Sequence, residues 1–510
     1  MDPKRLDTQP ESMARWLDAL PYSNLEECGR QLLDGLRLLG HTPMDASARH
    51  KLLKLYLGAL DRYFPALETE ILQDDVASSA RSRQLAMVAV ALFASVFSTF
   101  KQTLAERLSK RSLLDREQPK IELLLYSMMS ARQLANLSMR CYCPLPQGFW
   151  HDCHQLFRPA VERGWHERQL DNDDSLRVIY QQILLLGITS TNSLSQQEMT
   201  VARQLIMDWA VHAQLQPVET LDTTRLGYLV DTSRDEPPRF LPINASQLGA
   251  GCYWFNLEGA LALVKRRIEQ LLTAQNSNAA AQLYDELALL RGLAEEWQQP
   301  KRLRHQRMSM REVLELTATV PNIWYLANGH SWITAAEGNN KEEGDEPPPA
   351  PVALRTPPPP SLFLVVNQSA QGLRLRGQPR GQLLRAGEVI LLSPPGKPAA
   401  SQLCLIRWVS LLPDGMEVEC GVEVIGKLPE PVRILPTITH PEDQYQYALC
   451  LQAISPLHRP PMLLTQGRQF SRLRELRLQD RNGEILIRCT RLDTQTPHVQ
   501  LMEYRDSDNF

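Results

Sequence analysis

A chain of 510 residues, 43% of them hydrophobic, carries enough apolar material for about two to four cored domains and excludes a disordered chain. Its 55 Lys and Arg nearly balance its 58 Asp and Glu, so a net charge of -3 supplies no global pull toward nucleic acid or an anionic membrane. Any contact with a polyanion must be local.

The start, MDPKRLDTQPES, is charged and argues against a secretory signal. Nine scattered cysteines, an odd number, fit reduced thiols better than a disulfide framework, so a cytoplasmic protein is expected.

Residues 1–224 read as helical. In SNLEECGRQLLDGLRLLG, Ser23 and Glu26 have capping-box spacing, leucines follow at helical spacing, and Gly40 is placed to stop the helix. The most apolar stretch, LAMVAVALFASVFSTF from Leu85 to Phe100, is shorter than the roughly 20 residues of a membrane span and is read as a buried helix. Helix after helix without strand signals predicts an all-α bundle or solenoid, and no fixed repeat decides between the two.

Cys141, Cys143, His151, Cys153 and His154 lie close together in CYCPLPQGFWHDCHQLF. These are metal-capable side chains, but the Cys-x2-Cys knuckle is missing, so packing is the expected role and no metal is assigned. On a helix His151 and His154 would share a face, with Cys153 pointing elsewhere. Trp150, Trp165 and Trp209 are read as core.

Residues 225–300 form a mixed connector. LGYLVDTSRDEPPRFLP is extended and turn-rich, and two helices follow before the basic cluster KRLRHQR, residues 301–307. From 301 to 430, short β-like runs (VLELTAT, SLFLVVNQ, GEVILLS, QLCLIRWVSLL, MEVECGVEVI) separated by turn residues predict a small barrel. Residues 336–360, acidic and then proline-rich, are read as a flexible insertion outside it. Residues 431–510 read as a further β-rich module, with a hairpin at Asn482-Gly483. The fold class is therefore α+β and multidomain.

Between two β runs stands VVNQSAQGLRLRG, with Asn367, Ser369 and Gly372 spaced Asn-x-Ser-x-x-Gly. Short polar side chains at a strand end bind a ligand edge or cap a turn, and glycine permits positive φ and close approach to the backbone. Upstream, Arg302, Arg304 and Arg307 offer planar forks suited to phosphate oxygens and to guanine O6 and N7.

An arginine cluster, a barrel opening and Asn-x-Ser-x-x-Gly-Leu together resemble the PilZ domain, a bacterial receptor module for cyclic di-GMP. The resemblance runs through RWVS and GVEVIG to about residue 430. It implies a six-stranded barrel in which Arg302, Arg304 and Arg307 clamp phosphates and guanine, while Asn367, Ser369 and Gly372 contact a guanine and shape the pocket. The chain departs from the family at Leu303, where the second arginine of the usual pair, four residues before Arg307, is absent, and in a longer separation between the two motifs, for which the insertion accounts. The helical half is similar to the long N-terminal region of gammaproteobacterial PilZ proteins, some of which act on type IV pili and surface attachment.

No Walker loop, dinucleotide fingerprint, nucleophile elbow or His-Glu-x-x-His pair is present. The expected protein is a non-enzymatic receptor with cyclic di-GMP as its ligand and no other cofactor. An unidentified protein would bind its helical half, with no nucleic-acid polymer and no membrane span. The rivals are a PilZ-like scaffold that no longer binds the dinucleotide, which Leu303 favours, and a single-stranded nucleic-acid binder, which would want more interleaved aromatics.

Overall fold

The computed structural model describes residues 8–73, 77–109, 116–170, 173–244, 248–274, 282–300, 307–334, 355–438, 444–453 and 460–507. The chain forms two compact units, one built mainly from residues before 303 and the other mainly from residues after it.

The first unit opens with α1 (Pro10–Asp18), α2 (Leu25–His41), α3 (Ala46–Gln73), α4 (Ala80–Ser109), α5 (Gln118–Arg140), α6 (Phe149–Glu162), α7 (Leu176–Ile188) and α8 (Gln196–Trp209). Helix α4 lies against α2, α3 and α5. It is apolar nearly all round, and Leu85, Ala89, Leu92, Phe93, Val96, Phe97 and Phe100 are buried. Its Thr99 and Thr103 hydroxyls donate back to the carbonyls of Ser95 and Thr99, each at 2.7 Å, so these polar groups enter the core satisfied. By length and composition α4 is the one described helix able to cross a membrane, and 56% of its most apolar window is buried.

Two local expectations fail here. The N-cap of α2 is Asn24, not Ser23: its side-chain oxygen accepts from the Glu27 N–H at 3.2 Å. Asparagine caps as well as serine does. The helix also runs one residue beyond Gly40 and is capped at Thr42.

The unit continues with β1 (Gln214–Pro217), β2 (Arg225–Asp231), β3 (Arg239–Ile243) and β4 (Cys252–Asn256), an antiparallel sheet ordered β1-β4-β2-β3. It ends with α9 (Glu258–Ala274) and α10 (Gln282–Gln298).

The second unit holds two closed six-stranded barrels. The first comprises β5 (Met308–Ala318), β6 (Ser361–Gln368), β7 (Gly372–Gly377), β8 (Val389–Ser393), β9 (Gln402–Leu411) and β10 (Val418–Lys427), ordered β10-β7-β6-β5-β8-β9. The expected C-terminal β-rich module is a barrel in its own right: β11 (Glu430–Pro436), β12 (Gln446–Leu451), β13 (Met462–Gln466), β14 (Glu475–Gln479), β15 (Glu484–Gln495) and β16 (Val499–Asp506), ordered β11-β12-β13-β16-β15-β14. Its β14–β15 hairpin turns at Asn482-Gly483, closed by the Asp480 N–H donating to the Gly483 carbonyl at 2.9 Å.

Most of the 336–360 insertion lies outside the described residues. Its last residues are held by the barrel, because the Gln382 side chain donates to the Pro358 and Pro359 carbonyls at 3.2 and 3.0 Å. A helix that the β runs did not announce, α11 (Val320–Ala327), follows β5. It packs between the barrels: Val320, Ile323 and Trp324 join Val389, Leu391, Leu403 and Leu405 of the first and Leu449, Leu451, Met462, Leu464 and Leu501 of the second in one buried cluster. The Trp324 indole donates to the Val432 carbonyl at 2.8 Å and stacks parallel to Trp332 at 6.2 Å between ring centres. Nearby, Gly387 at φ +83° lets its carbonyl accept from the Thr496 hydroxyl at 2.7 Å, where a Cβ would stand 2.9 Å from the Thr496 Cβ.

Because the Trp324 side chain is fully buried at this seam and its N–H is paired, Trp324→Ala is expected to cost the second unit about 3–5 kcal/mol, read as a lowered urea midpoint. Burial pushes the His498 imidazole down to about 3, with the Arg385 guanidinium adding to the shift. Between pH 6.5 and about 3 the unfolded chain therefore takes up a proton that the folded one refuses, and stability falls as pH drops through that window. His498→Gln is expected to flatten this dependence in urea unfolding compared at about pH 7 and about pH 5.

Candidate functional site

The candidate site is set by the register of three strands. In the β5–β6 pair Met308 faces Gln368 and Ser309 faces Asn367; in the β6–β7 pair Asn367 faces Arg374 and Gln368 faces Leu373. A bulge interrupts each pairing beside Asn367, between Ser309 and Glu312 on one side and between Val365 and Asn367 on the other. Extra residues in a ladder bend the strand and re-aim side chains, so the half-buried Asn367 stands at a place where the sheet face is deliberately broken.

Ser369 and Gly372 close the turn that follows. The Ser369 N–H donates to the Gly372 carbonyl at 2.8 Å, and the Gly372 N–H donates to the Ser369 hydroxyl oxygen at 3.2 Å. The Val424 N–H donates to the Gln371 carbonyl at 2.9 Å and ties the turn to β10. The positive φ expected at Gly372 is absent; a different constraint excludes a side chain there. A Cβ at this position would stand 2.6 Å from the Val422 carbonyl oxygen, so glycine lets β7 approach the β10 backbone.

Arg307 is exposed and directly precedes Met308, which places its backbone beside Ser369 by continuation of the register. It makes no ion pair with a described residue. The structure thus brings Arg307, Asn367, Ser369 and Gly372 to one end of β5, β6 and β7 across 60 positions of sequence between Arg307 and Asn367. Arg302 and Arg304, with Leu303 between them, lie outside the described residues.

The arginines of β7 have partners on β10 and on the residue just before it. Arg374 pairs with Glu419 at 2.5 Å, Arg376 with Glu417 at 2.5 Å, and Arg407 of β9 with Glu423 at 2.7 Å. Sequence reasoning took MEVECGVEVI as a strand only. Glu417, Glu419 and Glu423 share one strand face, and that alternation against Arg374 and Arg376 is the signal that would have exposed the ladder. Gly421 lies on the same face of β10, and a Cβ there would stand 1.9 Å from the Trp408 Nε1, so the indole lies directly on the strand.

Of the clustered Cys and His residues, Cys141, Cys153 and His154 are packed into the core. Cys141 and Cys153 are buried, and burial pushes both thiols up. His151 is exposed while His154 is enclosed between the Tyr180 hydroxyl at 2.6 Å and the Glu236 carbonyl at 3.2 Å, so the two histidines do not share a face as expected. Cys153 accompanies His154 inward because α6 packs that side on α5 and α7. Among the described residues no three His, Cys, Asp or Glu side chains gather as a metal site. Trp150 and Trp165 are buried as expected, and Trp209 is half-buried.

Residues 11–220 match the family model of the N-terminal domain of the cyclic-di-GMP receptor FimW, and residues 432–507 match that of the FimW C-terminal beta-barrel domain. Both ends of this chain are thus similar to domains of that receptor. The first match spans α1 to α8 and reaches past β1; the second covers the barrel of β11 to β16 nearly strand for strand. The cyclic-di-GMP receptor FimW of Pseudomonas aeruginosa PAO1 is 25% identical over 290 residues, 54% of this chain and 46% of that protein. The match therefore spans about half the length of that curated relative. The barrel of β5 to β10, with Asn367, Ser369 and Gly372, falls between the two matched segments.

The close approach at Gly372 is testable. Gly372→Ala is expected to destabilise the barrel by about 1–3 kcal/mol, because a backbone oxygen has to move, whereas Ser369→Ala loses only turn hydrogen bonds and costs about 1 kcal/mol. Paired urea unfolding curves check the order.

Proposed function

We propose that this chain is a cyclic di-GMP receptor and that the barrel of β5 to β10, within residues 301–430, is its PilZ-like ligand module. One observation carries the reading: the strand register delivers Arg307 to the same end of the sheet as Asn367, Ser369 and Gly372. The FimW-type domains on either side support it, since the relative that shares them is named for that ligand.

The chemistry divides among the residues. Arg307 is exposed and has no ion-pair partner among the described residues, so its fork suits a phosphate, and Arg302 and Arg304, a few residues earlier in sequence, would add to it. Asn367 offers a carboxamide to a guanine edge. Ser369 and Gly372 hold the turn rigid and keep the approach to the backbone open. None of these groups forms a nucleophile and base pair, and the proposed role is binding without catalysis. In this reading the helical region 1–224, joined by 225–300, engages an unidentified protein partner in motility, pilus or surface-attachment control in the cytoplasm, and residues 431–510 support the ligand barrel.

A second reading rests on Leu303, which stands where the family pattern has an arginine: the barrel is then a scaffold that no longer takes the dinucleotide. Titration calorimetry with the full chain separates the two. Saturable heat with cyclic di-GMP that weakens about 10- to 100-fold in an Arg304→Ala, Arg307→Ala variant is the expected result, in keeping with lost charge-assisted hydrogen bonds. No heat at high ligand concentration leaves the scaffold.

A further inference from the structure

The register of the first barrel lines up one row of residues across four strands. Ser309 of β5 faces Asn367 of β6, Asn367 faces Arg374 of β7, and Arg374 faces Gly421 of β10. Directly opposed residues present their side chains on the same face of a sheet, close enough to act on one ligand. Where a side chain at Gly421 would begin, the Trp408 indole stands instead. The row thus presents a hydroxyl, a carboxamide, a guanidinium and an indole in succession.

The two arginines of β7 differ in what they have left to offer. Arg376 commits both its Nε and an Nη to Glu417. Arg374 spends only Nη2, on Glu419; its Nε is enclosed without a partner, and its Nη1 has none among the described residues. Its side chain is still 38% exposed, while the Glu419 side chain is only 11% exposed, so the guanidinium is anchored by a largely covered carboxylate and still reaches solvent.

We infer that Arg374 is the second guanidinium of the ligand site, reading the base edge of a guanine that lies beside Trp408 and Asn367. This rests on the cyclic di-GMP reading and adds to it a residue outside the two sequence motifs. The charge balance argues for base over phosphate. Glu419 already neutralises Arg374, so little net charge remains for an anion, whereas a free N–H suits a neutral acceptor such as O6 or N7. Arg307, with no carboxylate beside it among the described residues, is the phosphate group's partner. Leu303 then removes no donor that the site needs, because the donor comes from the sheet. A guanidinium already fixed by a salt bridge also loses little freedom on binding.

The test uses the full chain and two probes, cyclic di-GMP and cyclic di-AMP, titrated by calorimetry. Adenine replaces the O6 acceptor with an amino donor, so Arg374 discriminates against it. Arg374→Ala is expected to weaken cyclic di-GMP by about 10- to 100-fold and to shrink its preference over cyclic di-AMP, with little change in salt dependence. Arg307→Ala is expected to weaken both and to flatten the salt dependence. Arg376→Ala removes the neighbouring ion pair of the same kind and is expected to bind as the unaltered chain does, which separates recognition from loss of a barrel salt bridge. Should Arg374→Ala fail to fold, Arg374→Lys keeps a cation for Glu419, loses the planar fork, and is expected to show the reduced guanine preference. Undiminished affinity and preference in the Arg374 variants, with binding lost in Arg307→Ala, overturns the assignment and leaves the receptor reading standing. Equal losses in the Arg374→Ala and Arg376→Ala variants also overturn it. An unaltered chain that binds no cyclic di-GMP overturns both.

Discussion

The antiparallel register of β5, β6 and β7 is the constraint on which the functional end of this molecule depends. Side chains alternate across a strand with a period of two, so a slip of one residue would turn Asn367 inward and carry Arg374 off the outer face. The register is held from inside by Phe363, Val365 and Leu375, all essentially buried, and at the turn by the reciprocal bonds of Ser369 and Gly372. Hydrophobic burial thus decides which polar residues face outward together. The two bulges beside Asn367 interrupt the ladder only where the row of polar side chains begins.

A second constraint acts behind that face. Each small barrel leaves apolar strand surface that its own interior does not cover, and α11 fills the space between them with Trp324 at its centre. At roughly 25 cal/mol for each Å² of apolar surface removed from water, one fully buried tryptophan matters to a domain of marginal total stability. The shared cluster makes the second barrel a structural support of its neighbour, which gives a physical reason for two barrels to follow one another with so short a join between Lys427 and Glu430. Two polar groups drawn into the seam are paired: the Trp324 indole reaches Val432, and the Thr496 hydroxyl reaches Gly387.

Much of the architecture was legible from periodicity. The leucine-rich stripes of α2 and α7 and the nearly uniform apolar character of α4 announce buried helices, and the short β runs with Gly, Pro and Asp between them announce strands. The pieces that escaped share a cause. Helix α11 is eight residues long, too short for a periodic pattern, and exists because both barrels press on Val320, Ile323 and Trp324. The cap at Asn24 was displaced by one residue because several capping residues stand side by side and only packing selects among them. At the site, Asn367, Ser369 and Gly372 were visible as a motif, but the reason for glycine was not, since its constraint comes from Val422, 50 residues away in sequence.

By itself the sequence determined the class of each segment, helical before about 220 and β-rich after 307, because burial periodicity is written locally in the order of apolar and polar residues. It also marked the short polar motif and the basic segment as unusual for a packed core. What only the tertiary structure decided is which of these meet. Barrel closure and strand register set Arg307 beside the Asn367 turn, paired Arg376 with Glu417 and Arg374 with Glu419, and placed Arg374 opposite Gly421, on which the Trp408 indole lies. Strand pairing is a relation between distant segments, and no local pattern of residues states it.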